Sequence, residues 1–334
     1  MGRTYHMNDT GYIRVKKITR CRWCGSSEHE GTAKDGSGFW CADCDGFTYF
    51  QQDRNDRHRM LLILEAGAGK ETSTVRKPAG LRKRISPLRY PGGKSKLAEY
   101  MLSNTQPWQM DTFVEIFAGG GSLGLSLLDG GRIRQLILND TDPDVYAFWK
   151  TVVDDPGYLI ARTMDTVPTR ELFFKAKENL GKDISQKERA WYFFLVNRTA
   201  FSGIQMANPM RDITCRWNPE NLSGRIRRIA SMKDRIKLCS MDACGFIEQY
   251  AYWTTDTTLF IDPPYYGKGK VLYPKAFDKE DHERLADMLN SLYTGFDGPD
   301  MIITYDQCPE IEALYPWADV QQINRIYSCK RQGE

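Results

Sequence analysis

Apolar positions along this chain follow two rhythms. Short, nearly unbroken runs at 112–117, 135–139, 258–262 and 301–304 read as strands buried on both faces. Segments 94–102, 122–128, 144–153, 187–196 and 279–292 instead space their apolar residues three and four apart, which predicts helices. Strands alternating with helices predict an α/β fold, a parallel sheet with helices on both faces. No internal repeat or long low-complexity tract interrupts this order.

Before residue 86 the rhythm changes. Residues 14–55 are rich in Cys, aromatic residues, Gly and Asp. Residues 56–85 are expected to be a basic linker, broken by Gly67, Gly69, Pro78 and Gly80. The stretch Ala66-Gly67-Ala68-Gly69-Lys70-Glu71 imitates a phosphate-binding loop but fails its chemistry. Leu64 stands at the first glycine position and Glu71 where a hydroxyl would bind magnesium. Residues 154–237 exceed a normal crossover connection and are expected to form a separate lobe. The expected body is therefore 86–153 with 238–330, interrupted by that insert.

The chain has 334 residues and 41% hydrophobic content, enough for a full domain plus smaller units. No apolar stretch approaches the roughly 18 residues of a membrane span, so no membrane partner is expected. The polar N-terminus lacks the apolar core of a secretory signal, which predicts a reducing, cytoplasmic setting. Residues 1–85 hold 16 of the 46 basic residues and 10 of the 43 acidic ones. That cationic third, on a slightly acidic body, points to an anionic partner.

Cys21-Arg-Trp-Cys24 and Cys41-Ala-Asp-Cys44 form two knuckles separated by 16 residues. Each places two thiolates together, and the pair would close a tetrahedral four-sulfur site for structural zinc. Trp23, Phe39, Trp40, Phe47, Tyr49 and Phe50 would supply its small core. Nearby Arg14, Lys16, Lys17, Arg20 and Arg22 favour phosphate contacts for such a zinc ribbon.

The sharpest chemistry is Asp262-Pro263-Pro264-Tyr265, directly after the run Leu259-Phe260-Ile261. Parallel sheets bind ligands at that end of their strands. The prolines fix φ and carry no N–H. Asp262 and the Pro263 carbonyl would hold a planar exocyclic amino group, with the Tyr265 ring against its heterocycle. Upstream, Glu115-Ile-Phe117-Ala-Gly119-Gly-Gly121-Ser122 follows the first strand and opens a helix. Such a turn either lets a ligand approach the backbone or is a tight connection without one. Asp140 lies about 20 residues beyond, where nucleotide folds place a carboxylate on ribose hydroxyls. In Tyr90-Pro-Gly-Gly-Lys94, the ring would stack on a flat group and Lys94 would pair with a carboxylate.

Taken in order, the 90–94, 115–122, 139–144 and 262–265 motifs resemble the Dam-type DNA adenine-N6 methyltransferases of the alpha arrangement. The resemblance covers residues 86–328 and implies a Rossmann-like sheet using S-adenosylmethionine. It implies that Tyr90, Lys94, Phe117, Gly119, Gly121, Asp140, Asp242 and Asp262 surround the cofactor. Asp262, Pro263 and Tyr265 would form the catalytic pocket. The stretch Phe194 to Gly203, with Cys215-Arg-Trp-Asn-Pro219, resembles the family's target-recognition segment. Phe201-Ser-Gly-Ile204 and Trp217-Asn-Pro-Glu220 depart from the GATC-specific pattern. The implied partner is double-stranded DNA, with a monomer as the simplest assembly. Nine basic residues against three acidic ones in 198–237 suit that partner. Rival readings are a DNA-binding regulator with an inactive methyltransferase domain, and an RNA or protein methyltransferase.

Overall fold

The computed structural model describes residues 60–66, 81, 85–90, 94, 111–204, 206–250, 257–266, 277–295 and 299–324, with short N-terminal strands before them. Those are β1 (His6–Met7), β2 (Ile13–Arg14), β3 (His29–Thr32), β4 (Gly38–Cys41) and β5 (Phe47–Tyr49). β1 and β2 pair with each other, and β3, β4 and β5 form an antiparallel sheet. Cys41 closes β4, while Cys21, Cys24 and Cys44 lie outside the described residues. Among the described residues no group of His, Cys, Asp or Glu is arranged to hold a metal.

The body is built on β6 (Met60–Ala66), β7 (Thr112–Glu115), β8 (Gln135–Asn139), β9 (Ile236–Cys239), β10 (Thr257–Ile261), β11 (Asp300–Asp306) and β12 (Asp319–Asn324). Among the described residues these form one seven-stranded sheet in the order β12-β6-β11-β10-β7-β8-β9, with every pairing parallel. The α/β expectation holds.

The linker expected at 56–85 is corrected by β6. Met60-Leu61-Leu62-Ile63-Leu64 is an apolar run, and Leu62, Ile63 and Leu64 are fully buried. It sits between β11 and β12 and pairs with both. The run carries the same signal as the other buried strands, but the glycines and charges that flank it read as linker.

Successive residues of each strand serve opposite faces. Phe113, Leu136, Leu138, Phe260 and Ile302 join one core; Val114, Ile137, Leu259, Ile261, Met301 and Ile303 join the other. Among the described helices, α1 (Ser122–Asp129) and α2 (Pro143–Asp154) cover the first face. α7 (Ala243–Tyr250), α8 (Lys279–Gly295) and α9 (Pro309–Leu314) cover the second. No described helix is long and apolar enough to cross a membrane.

The insert is helical: α3 (Pro156–Asp165), α4 (Arg170–Leu180), α5 (Gln186–Thr199) and α6 (Pro219–Ala230). It does not stand apart. α5 is buried almost all round, and Phe148 of α2 stacks on its Phe194 at 5.3 Å. Trp191, Phe194, Leu222 and Ile226 share one core with the strands. The insert is therefore packed onto the catalytic sheet, and its helices hold a fixed position relative to it.

Candidate active site

All seven strands run the same way, so their carboxyl ends share one edge. Asn139, at the end of β8, ties that edge together. Its Nδ2 donates to the carbonyls of Ile116 and Met241 at 3.0 Å each, and its Oδ1 accepts from Met241 N at 3.0 Å. The exits from β7, β8 and β9 are thus fixed relative to one another.

After β7 the chain turns through Gly119 at φ +45° and Gly121 at φ +57°, conformations that favour glycine. A Cβ on Gly119 would come within 2.8 Å of the Tyr90 ring, so that ring lies directly on the turn. Gly119 N donates to Asp140 Oδ2 at 2.8 Å, and Asp142 N to Asp140 Oδ1 at 2.9 Å. Helix α1 then starts at Gly121 with no side-chain cap. A glycine turn, an uncapped helix start and a backbone-oriented carboxylate suit a polar nucleoside group. Phe117 continues this wall and meets Phe277 edge-on at 5.5 Å.

The second half of the edge is the corner after β10. Lys94 Nζ lies 2.9 Å from Asp262 Oδ1 and donates to the Tyr265 hydroxyl at 2.7 Å. Thr304 of β11 donates to the same Asp262 Oδ1 at 2.6 Å. Lys94 is 4% exposed and Asp262 23%, so this ion pair is largely screened from water. Both bonds fall on Oδ1; Oδ2 accepts none among the described residues. The carboxylate is therefore held from one side with its second oxygen presented.

Beneath the corner lies Glu115, a buried carboxyl that accepts from Gly124 N at 2.5 Å. Burial chiefly, with Asp262 adding repulsion, pushes it up to about 8; the Gly124 bond and Lys94 oppose that rise. Behind Tyr265, His282 Nδ1 shares a 2.8 Å hydrogen bond with the Tyr305 hydroxyl. Tyr266 and Phe277 flank that imidazole, and burial lowers its pKa.

The structure thus gathers Lys94, Asp262 and Tyr265 at one corner, and Tyr90, Gly119, Gly121 and Asp140 at the neighbouring turn. Lys94, expected beside a cofactor carboxylate, lies against Asp262 and Tyr265. Asp242 stands differently: it accepts from Gly245 N at 3.0 Å and pairs with Arg284 at 3.2 Å, half exposed at the start of α7. Thr304, Asn139 and Glu115 were missed from sequence. Each is a buried polar residue in a largely apolar strand, and that anomaly was the available signal.

A type II methyltransferase of Methanocaldococcus jannaschii, M.MjaIII, is 22% identical to this chain over 232 residues, covering 61% of this chain and 79% of that protein. The sequence profile of the D12 class N6 adenine-specific DNA methyltransferases matches residues 90–329. That span takes in the glycine turn, the insert and the Asp262 corner, and it is well over half the chain. This protein belongs to the D12 class of N6 adenine-specific DNA methyltransferases.

Proposed function

We propose that the Asp262 corner receives an adenine flipped out of double-stranded DNA and directs its N6 towards methylation. The observation that carries this reading is the presented Asp262 Oδ2, with Oδ1 anchored by Lys94 and Thr304. Asp262 Oδ2 and the Pro263 carbonyl accept the two N6–H bonds. That pairing favours a pyramidal nitrogen and raises its nucleophilicity. Tyr265 stacks on the base and recovers part of the few kcal/mol lost on unstacking and unpairing. Lys94 pairs with Asp262 and fixes the Tyr265 hydroxyl, so it acts here as a positioning residue. The proton leaves readily once nitrogen is methylated, so no strong base is required.

Family membership implies S-adenosylmethionine as methyl donor. When bound, it supplies an electrophilic methyl group on a sulfonium leaving group. Tyr90, Phe117, Gly119, Gly121 and Asp140 would hold it, a reading supported by the uncapped α1 start and the oriented Asp140 carboxylate. Asp242 would close the site from β9. The knuckles at Cys21, Cys24, Cys41 and Cys44 would hold one structural zinc, supported by their spacing and by Cys41 ending a strand of the small antiparallel sheet. Elemental analysis of purified protein should find one zinc per chain, lost in Cys41→Ser.

The test of the function is expression in a host lacking DNA methylation, followed by methylation-aware sequencing of its genome. N6-methyladenine at one recurring sequence is expected. A genome without N6-methyladenine, from cells containing folded protein, would refute the reading.

A further inference from the structure

Four guanidinium groups meet where the insert packs on residues 85–90. Arg89 Nη1 donates to the Ala200 carbonyl at 3.2 Å and to Met210 Sδ at 3.4 Å. Arg198 donates to the carbonyls of Pro87, at 3.3 Å, and Arg216. Arg225 Nη1 donates to the Ser86 carbonyl at 2.9 Å. Arg216 itself is exposed at the rim. All of these acceptors are neutral. Among the described residues Arg89, Arg198 and Arg216 pair with no carboxylate, and Arg198 Nε is buried without any partner.

This concentration of charge is costly. Burial first, then Arg89, Arg225 and Arg216, brings Arg198 down to about 9; burial and Arg216 lower Arg89 in the same direction. The Cys215 thiol works weakly the other way. Other basic residues of the insert are used differently. Arg228 pairs with Asp129, and Arg235 donates to the carbonyls of Ile133 and Arg134. Only part of the basic run converges, and among the described residues it converges where Arg89, Arg198 and Arg216 have no carboxylate partner. A guanidinium has five N–H groups, and Arg89 and Arg198 each make two of the bonds above. The planar forks that remain suit a tetrahedral oxyanion.

We propose that Arg89, Arg198, Arg216 and Arg225 form a phosphodiester site that seats the DNA backbone at the joint between the insert and residues 85–90. The occupant is a backbone phosphate rather than a free one, because the same short segment continues to Tyr90 and Lys94 at the catalytic edge. The inference rests on the DNA reading above and adds where the backbone is gripped. Phosphate contacts fix register without reading sequence, so the site would anchor the duplex while other residues select the base.

The test measures binding of the full-length protein to a mixed-sequence duplex oligonucleotide across a chloride series. Arg216→Ala should bind roughly tenfold more weakly at low salt, with a salt slope shallower by about one. Arg216→Glu should lose roughly a hundredfold, since it places a like charge against the phosphate. Arg225→Gln should follow Arg216→Ala, whereas exposed Arg227→Ala on the same helix should match wild type. Cofactor affinity should be unchanged in every variant. Wild-type affinity and slope in both Arg216 variants would overturn the proposal. So would inorganic phosphate raising the wild-type melting temperature, but not that of Arg216→Glu, while duplex binding is equal in both. A wild-type protein that neither binds nor methylates DNA would overturn the DNA reading itself, and this site with it.

Discussion

Two charged clusters sit on one short stretch of chain, residues 86–94, and they are built in opposite ways. At its far end, Lys94 meets Asp262 and the two charges cancel within a nearly dry corner. At its near end, Arg89 joins Arg198, Arg216 and Arg225, and among the described residues Arg89 and Arg198 meet only neutral carbonyls and sulfur. The first cluster is complete without a ligand and therefore preorganised, which is what positioning chemistry demands. The second is incomplete by charge, which is what a binding surface for an anion demands. Asn197 holds the near end: it accepts from Arg89 N at 2.8 Å and donates to the Arg89 carbonyl at 2.7 Å. Its buried amide clamps the stretch that carries both.

The largest effect is expected from the sheet beneath both clusters. Deleting residues 1–66 removes β6 and leaves β11 and β12 with unpaired edges and an apolar gap. Insoluble or molten protein is expected, read by near-ultraviolet circular dichroism and cooperative melting. A cooperatively melting, active truncation would show that β6 is dispensable. Next, Lys94→Met removes the internal neutraliser and leaves the half-buried Asp262 with Thr304 as its remaining anchor. We expect kcat to fall by about a hundredfold or more, with duplex affinity within about threefold; this separates the corner from the arginine cluster. A Lys94→Met enzyme altered only in duplex affinity would reverse the comparison.

Asn197→Ala should disturb both ends at once. Three backbone groups, the Arg89 N–H and the carbonyls of Arg89 and Gly203, lose a partner, which should lower stability by about 1–3 kcal/mol, measured by urea unfolding. KM for DNA should rise together with the fall in kcat. The smallest effect concerns Glu115. Its carboxyl is raised from the usual 4.5 to about 8 in the fold, so the folded state holds a proton that the unfolded chain has released. Its contribution therefore makes stability fall as pH rises from about 4.5 to about 8. Glu115→Gln should flatten that slope in melting scans at stepped pH. An unchanged slope would place the titration elsewhere.

The contrast also explains what the sequence could disclose. The Asp262 motif and the glycine turn were legible because their chemistry is contiguous, with strand, turn and side chains in order. Lys94 with Tyr265 was not, because 171 residues separate the partners and only the folded sheet joins them. Thr304 was read only as part of a strand. The nine basic residues at 198–237 were visible as a run, yet the run is sorted by helix face. α6 sends Arg225 to Ser86 and Arg228 to Asp129. β6 was hidden because its five apolar residues stand between charged and glycine-rich flanks that read as linker.

The central claim is that Asp262 Oδ2 receives adenine N6. Its most direct test is a single-turnover methyl-transfer assay with duplex DNA and S-adenosylmethionine, read by mass spectrometry of the released nucleosides. Wild type should form N6-methyladenine. Asp262→Ala should form it at least about a hundredfold more slowly, with cofactor binding retained within a few-fold. Near-normal turnover by a folded Asp262→Ala protein, or a methyl group on any nucleoside other than adenine, would contradict the account.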